Sequence, residues 1–371
     1  MPLSFRPATT PPVCRSLVPC VIEDHTAMHV SLISWGGGLG ASACVFHEGG
    51  TMHSSAFREH LSASAPGDDP PQGPPTGAGG WETVPRDLVH RLRADDVLLT
   101  GWERVDDDRF RVSVRWPDRH DHFTPRRRQY PPQLVGETMR QATMLLAHTE
   151  YGVPLEDQFL IRDLDYRLRP DRLGVGEGPA RIDAEIVCSA VRRRRGRLVA
   201  MHCRMTACRG QEVVAVAAGN VSITTAAVYR RLRHTRPPAE LAAFAVPVAP
   251  ERVGRTDPRH VVLAPTPQAE RWQLRADPLN ATLTGRARDH YSGLILMEAV
   301  YQAVLAGPGR RDFCPASFSI DFFRYADFAP PCWIEAHTVP AATPGSTTVV
   351  VTGRQEGLTV FEASVGDARA F

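Results

Sequence analysis

Two stretches of the chain, residues 81–235 and 251–371, repeat the same order of sequence features. Each begins with a strand, a loop and a second strand, and each continues with one long helix and several further strands. The strand pairs read "DDVLLTGWERVDDDRFRVSVRW", with a turn at Asp106–Asp108, and "RHVVLAPTPQAERWQLRAD". Aligning the helices pairs Tyr130 with Tyr291, Glu137 with Glu298, Gln141 with Gln302, and Ala142 with Ala303. An internal repeat of this kind requires a fold made of two copies of one unit.

The first helix is predicted from the segment "LVGETMRQATMLLAHTEYGVP", residues 134–154. It begins after Pro131–Pro132 and ends near Gly152, as first-turn prolines and a terminal glycine indicate. One face is an apolar stripe at helical spacing, made of Leu134, Val135, Met139, Ala142, Leu145 and Leu146. Glu137, Arg140 and Gln141 lie together on the other side. They form either a solvent-facing ion pair, worth about 0.2–0.5 kcal/mol, or part of a site.

The second helix favours the interpretation of these residues as part of a site. From Ile295 to Ala306 it is apolar nearly all the way round, which predicts burial on every side. A carboxylate is rarely buried without a partner or a role, so Glu298 is a functional candidate, and Glu137 is its repeat mate. The alternative is a buried structural glutamate held by backbone donors. If the two helices pack across the repeat interface, both Glu/Gln pairs face a shared cleft.

One long helix beside an antiparallel sheet, repeated twice, predicts an α+β chain with tandem hot-dog repeats. In this fold each sheet wraps its central helix, and the two copies form one continuous sheet. We expect a poorly ordered extension over residues 1–80 that ends in a Pro/Gly linker, "SAPGDDPPQGPPTGAGG". The first hot-dog domain is predicted over 81–235, a linker over 236–250 and the second domain over 251–371. The Arg/Pro-rich and then Ala-rich stretch 228–250 is interpreted as the connector.

Composition excludes several classes of function. A net charge of +2 gives no general attraction to nucleic acid or membrane. The chain has no lysine, so all 43 basic residues are arginine, and Schiff-base or P-loop lysine chemistry is excluded. The eight cysteines form no C-x-x-C pair and no zinc-like spacing, so no metal site is predicted. No signal peptide or membrane span is recognisable, and we expect a cytoplasmic protein.

Several segments together resemble the A-factor biosynthesis family (AfsA/ScbA-type proteins). They are "TVPRDLVHR", "DVLLTGWERVDDDRF", "GETMRQATMLLAHTEYGVPLEDQFLIRDLDY", "VYRRLR", "RWQLRAD", "DHYSGLILMEAVYQA" and "APPCWIEA". The resemblance covers both repeats, from about residue 81 to the end, and leaves out the N-terminal extension. This family makes γ-butyrolactone signalling molecules that regulate secondary metabolism and antibiotic production in actinomycetes.

The resemblance implies an acyltransferase. It would join a β-ketoacyl group, carried on acyl carrier protein, to a hydroxyl of dihydroxyacetone phosphate, without a metal or redox cofactor. The implied catalytic residues are Glu137, Arg140 and Glu298. The implied substrate contacts are Gln141, Gln302, Asp289, His290 and Tyr301. No nucleic-acid or membrane partner is implied, and a homo-oligomer is a possibility.

The chemistry assigns a task to each group. A glutamate serves as base if desolvation raises its pKa, and Arg140 is the candidate cation for the phosphate. The free N–H groups of a helix N-terminus would hold the thioester oxyanion, and an apolar tunnel between helix and sheet would hold the acyl chain. The helix glutamate also resembles the acid/base glutamate of hot-dog 3-hydroxyacyl-carrier-protein dehydratases.

The second repeat departs from the family pattern. Tyr301 stands where the family has an arginine, Ser292 where it has a proline, and Gly285–Ala287 where it has Asp-His-Pro. Arg286 or Arg288 would replace the missing cation under one hypothesis. Three readings therefore stay open: chemistry in the first repeat, a thioesterase or dehydratase on acyl thioesters, and a non-catalytic acyl or lactone binder.

Other basic and titratable residues have competing interpretations. The hairpin tip "VRRRRGRLVA" is interpreted as a solvated turn rather than a carrier-protein dock. Arg126–Arg128 precede the first helix and are candidates for contact with a phosphate or phosphopantetheine. His120, His122 and His148 are interpreted as surface or satisfied core groups rather than bases.

Overall fold

The computed structural model describes residues 83–125, 127–233, 245–285, 289–310, 313–340 and 347–367. All of these belong to one compact unit of the chain, Gly67–Phe371. The predicted N-terminal extension therefore lies outside the described residues. So do Arg126, Arg286 and Arg288, and residues 234–244 of the predicted connector.

Each half of the described chain contains two strands, one long helix and four further strands in the same order. The first half has β1 Leu99–Asp106, β2 Arg109–Trp116, helix α1 Gln133–Thr149, β3 Gln158–Leu168, β4 Ala180–Arg194, β5 Arg197–Arg209 and β6 Glu212–Thr224. A helix, α2 Ala226–Arg233, follows. The second half has β7 Leu263–Pro265, β8 Arg271–Leu274, a short helix α3 Ala281–Thr284, helix α4 Gly293–Ala306, β9 Pro315–Phe322, β10 Cys332–Pro340, β11 Thr347–Gln355 and β12 Leu358–Asp367.

The strands form one antiparallel sheet in the described part of the chain, in the order β1-β2-β4-β5-β6-β3-β9-β12-β11-β10-β8-β7. Read from either end, this order is the same once equivalent strands are matched. The two halves meet at the β3–β9 pair, where Tyr166 lies opposite Phe318. The predicted tandem hot-dog fold is confirmed, with one continuous sheet shared by both repeats.

Both long helices are buried against the concave face of this sheet. Helix α1 follows Pro131–Pro132 and ends before Gly152, which has a φ of +70° that only glycine adopts freely. The first turn of α4 is capped by Ser292, whose Oγ accepts from the Ile295 N–H. Both predicted helices are confirmed, including the apolar surround of α4.

The start of the predicted connector is a helix that contacts the second half. Residues 228–233 belong to α2, and Arg233 donates from Nε to Asp289 and from Nη2 to Asp327, each at 2.6 Å. Composition suggested a connector because Arg and Pro are abundant there. The two aspartates that bind Arg233 lie 56 and 94 residues further along the chain, so local sequence could not show them.

Replacing Gly219 by alanine is expected to lower the free energy of unfolding by about 1–3 kcal/mol. Gly219 lies in β6, between β5 and β3, and an added Cβ would lie 2.7 Å from the Asp163 carbonyl oxygen. Gly101→Ala is the matched control, because a Cβ at that strand position meets nothing within 4 Å. Urea denaturation compares the two variants. Equal midpoints would show that β3 and β6 adjust without cost.

Candidate active site

Two equivalent hydrogen-bond arrangements surround the two helix glutamates. In the first half, Gln141 accepts at Oε1 from the Leu98 N–H (2.9 Å) and donates from Nε2 to the Asp96 carbonyl (2.7 Å). In the second half, Gln302 makes the same contacts with Val262 and His260, at 2.9 and 2.7 Å. Each glutamine also donates to the glutamate one turn before it.

These contacts explain the Glu/Gln spacing on both helices. Each glutamine fixes the backbone just before the first strand of its half and orients the neighbouring carboxylate. Both are buried, with 0–1% of their surface exposed. Gln141 and Gln302 were predicted to contact substrate, and the structure shows their side-chain atoms already engaged with protein groups.

An arginine that comes two residues after a 3₁₀ turn binds each glutamate. Arg91 Nε lies 2.9 Å from Glu137 Oε1, and Arg255 Nε lies 2.8 Å from Glu298 Oε1. Each arginine also crosses to the other half, because Arg91 donates to the Thr282 carbonyl (2.6 Å) and Arg255 to the His122 carbonyl (2.7 Å). Each of these arginines therefore pairs with the glutamate of its own half and also links the two halves by a hydrogen bond.

Sequence reasoning missed both arginines as site residues. They are 46 and 43 residues away from the glutamates they bind. A repeat signal was present, since "VPRDLVHR" and "VAPERVGR" share their valines and their final arginine. A comparison of the segments before the first strands would have identified the pair.

Glu137, the first-half glutamate, is buried and paired with two arginines. Glu137 is 0% exposed and binds both Arg91 and Arg140, and Arg140 makes two contacts of 2.9 Å. The interpretation as a solvent-facing ion pair is therefore wrong. Arg140 also donates to the Val89 carbonyl, and it lines a small cavity of about 30 Å³ whose lining does not include Glu137. The Glu137 carboxylate is the centre of a buried ion cluster.

The second-half glutamate opens onto a larger cavity of about 180 Å³. Glu298, Arg255 and Tyr301 line it from the second half, and the start of α1 lines it from the first. The remaining wall is formed by residues that include Thr124, Arg127, Gln129, Tyr130, Pro131, Pro132, Gln133, Leu173, Val304, Leu305 and Phe313. Gln133 donates to Glu298 Oε2 at 3.2 Å. Glu298 therefore lies where both halves contribute to one cavity.

Tyr301 occupies the helix position that Arg140 has in the first half. Its hydroxyl is hydrogen-bonded to the hydroxyl of Tyr166 on β3, and both rings stack on Phe318. No cation lies at this position, so Glu298 has one arginine partner, Arg255, among the described residues. The proposed replacement by Arg286 or Arg288 falls outside the described part of the chain.

The pKa values of both glutamates lie below their ordinary value. Burial alone would raise the pKa of Glu137, but the charges of Arg140 and Arg91 outweigh it. For Glu298 the effect of burial is outweighed, and the charge of Arg255 is the largest cause that lowers its pKa. The condition set for the base role, a pKa raised by desolvation, is therefore not met, and the arginines responsible were not evident from the sequence. Both carboxylates stay ionised at neutral pH.

His122 is a second residue that sequence reasoning misjudged. It is 1% exposed, with Nε2 3.3 Å from Arg255 Nη2 and 3.6 Å from Glu298 Oε2. Burial first, and then the charge of Arg255, lower its pKa to about 4. Its Nδ1 has no hydrogen-bond partner in the described part of the chain. It is therefore neither a surface histidine nor a fully satisfied core histidine.

Asp289 and His290 lie away from this cavity. Asp289 accepts from Arg233 and from His290 Nδ1, each at 2.6 Å, and from the Tyr229 hydroxyl at 3.1 Å. The hydrogen bond from His290 lowers the Asp289 pKa, and Arg233 adds to this against the effect of burial. His290 lines a separate cavity of about 190 Å³ with Tyr291. The structure thus does not bring these two predicted substrate contacts to Glu298.

Among the described residues, no group of three or more His, Cys, Asp or Glu side chains is arranged to hold a metal ion. None of their helices has the length and apolar character required to cross a membrane.

Acidification below pH 6.5 is expected to reduce the stability of the fold. The folded pKa of His122 is about 4 against an ordinary 6.5, so the unfolded chain takes up a proton first. Each pH unit between these values then costs about 1.4 kcal/mol. Below pH 4.5 the lowered pKa values of Glu137 and Glu298 add further loss.

Urea denaturation of the wild type and of His122→Asn at pH 7.0, 6.0 and 5.0 tests this expectation. The variant should lose less stability per pH unit by about 1.4 kcal/mol. His260, whose pKa burial also lowers, is present in both proteins and cancels from the difference. Identical slopes would show that His122 is not buried as a neutral group.

Comparison with known proteins places both halves in one family. The model of the A-factor biosynthesis hotdog domain (AfsA) matches residues 76–225 and 238–366. A protein of Streptomyces virginiae is 42% identical over 285 residues, 76% of this chain and 97% of the relative. A Streptomyces coelicolor protein is 38% identical over 281 residues, 75% of this chain and 89% of the relative. Both are named 2-oxo-3-(phosphooxy)propyl 3-oxoalkanoate synthase.

The solved structures that match this chain have much lower sequence identity to it than the Streptomyces relatives. The 12:0-ACP thioesterase from Umbellularia californica aligns with 69% of this chain and 93% of its own, at 11% identity and a TM-score of 0.42. At this level the match says nothing about function. The family match covers both halves and the relatives align over three quarters of the sequence, so this chain belongs to the A-factor biosynthesis hotdog (AfsA) family.

Proposed function

We propose that the protein is an acyltransferase that joins a β-ketoacyl group from an acyl-carrier-protein thioester to a hydroxyl of dihydroxyacetone phosphate. The names of its Streptomyces relatives support this reaction. The observation that carries the assignment to a site is the position of Glu298. An ionised, arginine-bound carboxylate lines a cavity that both repeats enclose. The product would be a precursor of γ-butyrolactone-type signals.

The cavity has the two kinds of wall that this reaction requires. Val304, Leu305, Phe313 and Leu173 offer apolar surface for an acyl chain. Glu298, Arg255 and Gln133 supply polar groups on the same cavity. A thioester bound with its chain along the apolar wall would place its carbonyl carbon at the polar groups.

The acyl transfer then balances without a cofactor. The acceptor hydroxyl oxygen attacks the thioester carbonyl carbon, a C–O bond forms and the C–S bond breaks. The hydroxyl proton passes to Glu298 and from there to the departing sulfur of the carrier arm. The lowered pKa keeps the Glu298 carboxylate free of a proton when the hydroxyl arrives, and it also makes this carboxylate a weaker base than a glutamate with an ordinary pKa. Arg255 keeps that carboxylate in place.

The phosphate of the acceptor needs a cation at the same cavity. Arg140, the predicted cation, is engaged with Glu137 and lines a different cavity. Arg127 is exposed and lines the Glu298 cavity. We therefore assign the phosphate contact to Arg127, whose planar guanidinium suits a phosphate. The predicted catalytic roles of Glu137 and Arg140 stay predictions.

The carrier protein and the location belong to the same proposal. Carrier-bound β-ketoacyl thioesters are cytoplasmic intermediates, so the enzyme would work in the cytoplasm. A homo-oligomer stays a prediction.

Mass spectrometry of purified protein with a β-ketoacyl thioester and dihydroxyacetone phosphate tests the proposal. The expected product is the phosphorylated β-keto ester, and dihydroxyacetone should not replace the phosphate at equal concentration. Free β-keto acid formed at the same rate with and without acceptor would instead identify a thioesterase. Thioester that is bound but never consumed would identify a non-catalytic binder.

A further inference from the structure

An enclosed cavity of about 10 Å³ adjoins the larger one at Glu298. The two share Glu298, Gln133 and Tyr301 in their walls. The enclosed cavity is also lined by His122 and Tyr166. Its volume suits one oxygen atom, since a space of roughly this size holds a single water molecule. An oxygen there would lie in a mostly apolar space between the two repeats, with polar groups of His122, Gln133, Tyr166, Glu298 and Tyr301 in its wall.

The thioester carbonyl oxygen needs hydrogen-bond donors, and helix α1 offers few. Pro131 and Pro132, at the start of α1, carry no N–H. The N–H groups of Leu134 and Val135 already donate to the carbonyls of those prolines, each at 3.0 Å. These two N–H groups are therefore engaged, which leaves only the Gln133 N–H at this helix N-terminus, and an oxyanion calls for a further donor.

The contact with Arg255 determines the tautomer of His122. A guanidinium has only donors, so a 3.3 Å contact from Arg255 Nη2 requires His122 Nε2 to accept. The 3.6 Å separation from Glu298 Oε2 is too long for a hydrogen bond from Nε2. A neutral imidazole carries one proton, which must then be on Nδ1. Nδ1 is a buried donor with no partner among the described residues.

We propose that His122 is a catalytic residue whose Nδ1–H donates a hydrogen bond to the thioester carbonyl oxygen in the enclosed cavity. The proposal rests on the proposed function and adds a group to its site. The hydrogen bond strengthens as the carbonyl becomes a single C–O⁻ bond in the tetrahedral intermediate, and it weakens again when the C–S bond breaks. The proton stays on Nδ1 throughout, so His122 is not the base.

The charged surroundings of His122 agree with this role. The charged and titratable groups near it are Glu298 from α4, Arg255 from the segment after the 3₁₀ turn, and His260, whose ring centroid lies 5.3 Å away. Tyr166 and Tyr301 line the same enclosed cavity. Burial and Arg255 favour the neutral ring. A neutral donor is not consumed by proton transfer and serves over the whole neutral pH range.

Two substitutions of His122 distinguish the roles of its two ring nitrogens. The amide nitrogen of His122→Asn falls near the position of Nδ1 and keeps a donor, whereas that of His122→Gln falls near Nε2. We expect His122→Asn to retain kcat within about tenfold and His122→Gln to lose at least about a hundredfold, the usual effect of removing one oxyanion donor. KM for the thioester should change little. His202→Asn, at a partly exposed strand position, is the control for substitution itself.

Nitrogen NMR of histidine-labelled wild type provides a readout that does not depend on activity. The expected spectrum assigns the His122 proton to Nδ1 at pH 7. A proton on Nε2, or a larger loss in His122→Asn than in His122→Gln, would overturn the proposal while ester formation by the wild type still upheld the proposed function. A wild type that forms no ester would overturn the proposed function and this role together, whatever tautomer the NMR shows.

Discussion

Replacing Glu298 by glutamine is expected to lower kcat for ester formation about a thousandfold. Glutamine keeps the size of the side chain and its hydrogen bond with Gln302, but it cannot take the proton of the attacking hydroxyl. General-base catalysis contributes about 10²–10⁴-fold, and little of it should survive. The cavity would keep its shape, so KM for the thioester should stay within a few-fold.

The measurement is steady-state ester formation per folded molecule, with the folded fraction taken from thermal denaturation. Some stability loss is expected, because Arg255 is left with a buried, unpaired charge. Binding of a non-hydrolysable thioether analogue is the control that the cavity is intact. A variant that binds the analogue and still forms ester at more than a tenth of the wild-type rate would remove Glu298 from the reaction.

Replacing Arg255 by methionine is expected to cost about 3–5 kcal/mol of stability, the usual penalty for an uncompensated buried charge. Arg255 is the arginine that binds Glu298, and its side chain is 9% exposed. Arg91→Met is the matched control in the first half. Glu137 would keep Arg140, so we expect Arg91→Met to cost less. The two variants should differ because the second half has Tyr301 at the position where the first half has the second arginine, Arg140.

The stability deficit of Arg255→Met should also change with pH in a direction that distinguishes it from Arg91→Met. Without Arg255, burial would raise the pKa of Glu298 above its ordinary 4.5. A raised folded pKa means that stability is lost as pH rises, so the deficit of Arg255→Met should shrink toward pH 5. Urea denaturation at pH 7.5 and 5.0 measures it. A deficit that is equal to that of Arg91→Met at both pH values would contradict the asymmetry between the halves.

The fold could be predicted because its signals are local and repeated. Strand alternation and the turn at Asp106–Asp108 set the hairpins, and the apolar surround of Glu298 set the buried helix. The same buried glutamate pointed to the site before any contact was known. These features depend on residues within one or two turns or strands of each other, which is the range over which sequence patterns are informative.

The partners of the glutamates could not be predicted in the same way. Arg255 contacts His122 from 133 residues away, and the contact crosses between the repeats. Without these groups the sign of the Glu298 pKa shift was wrong, because burial and ion pairing act in opposite directions. Gln141 and Gln302 were predicted to contact substrate, and that role stays a prediction. Their backbone partners explain why the same spacing from the glutamate recurs in both repeats.

The most direct test of the account compares Glu298→Gln with Glu137→Gln in one ester-formation assay, with rates expressed per folded molecule. The account predicts that Glu137→Gln has the lower melting temperature, because two arginines lose their partner, but keeps at least about a tenth of the wild-type rate. Glu298→Gln should melt higher and lose about a thousandfold. The reverse pattern, with the rate lost in Glu137→Gln and kept in Glu298→Gln, would place the chemistry in the first repeat and contradict the account.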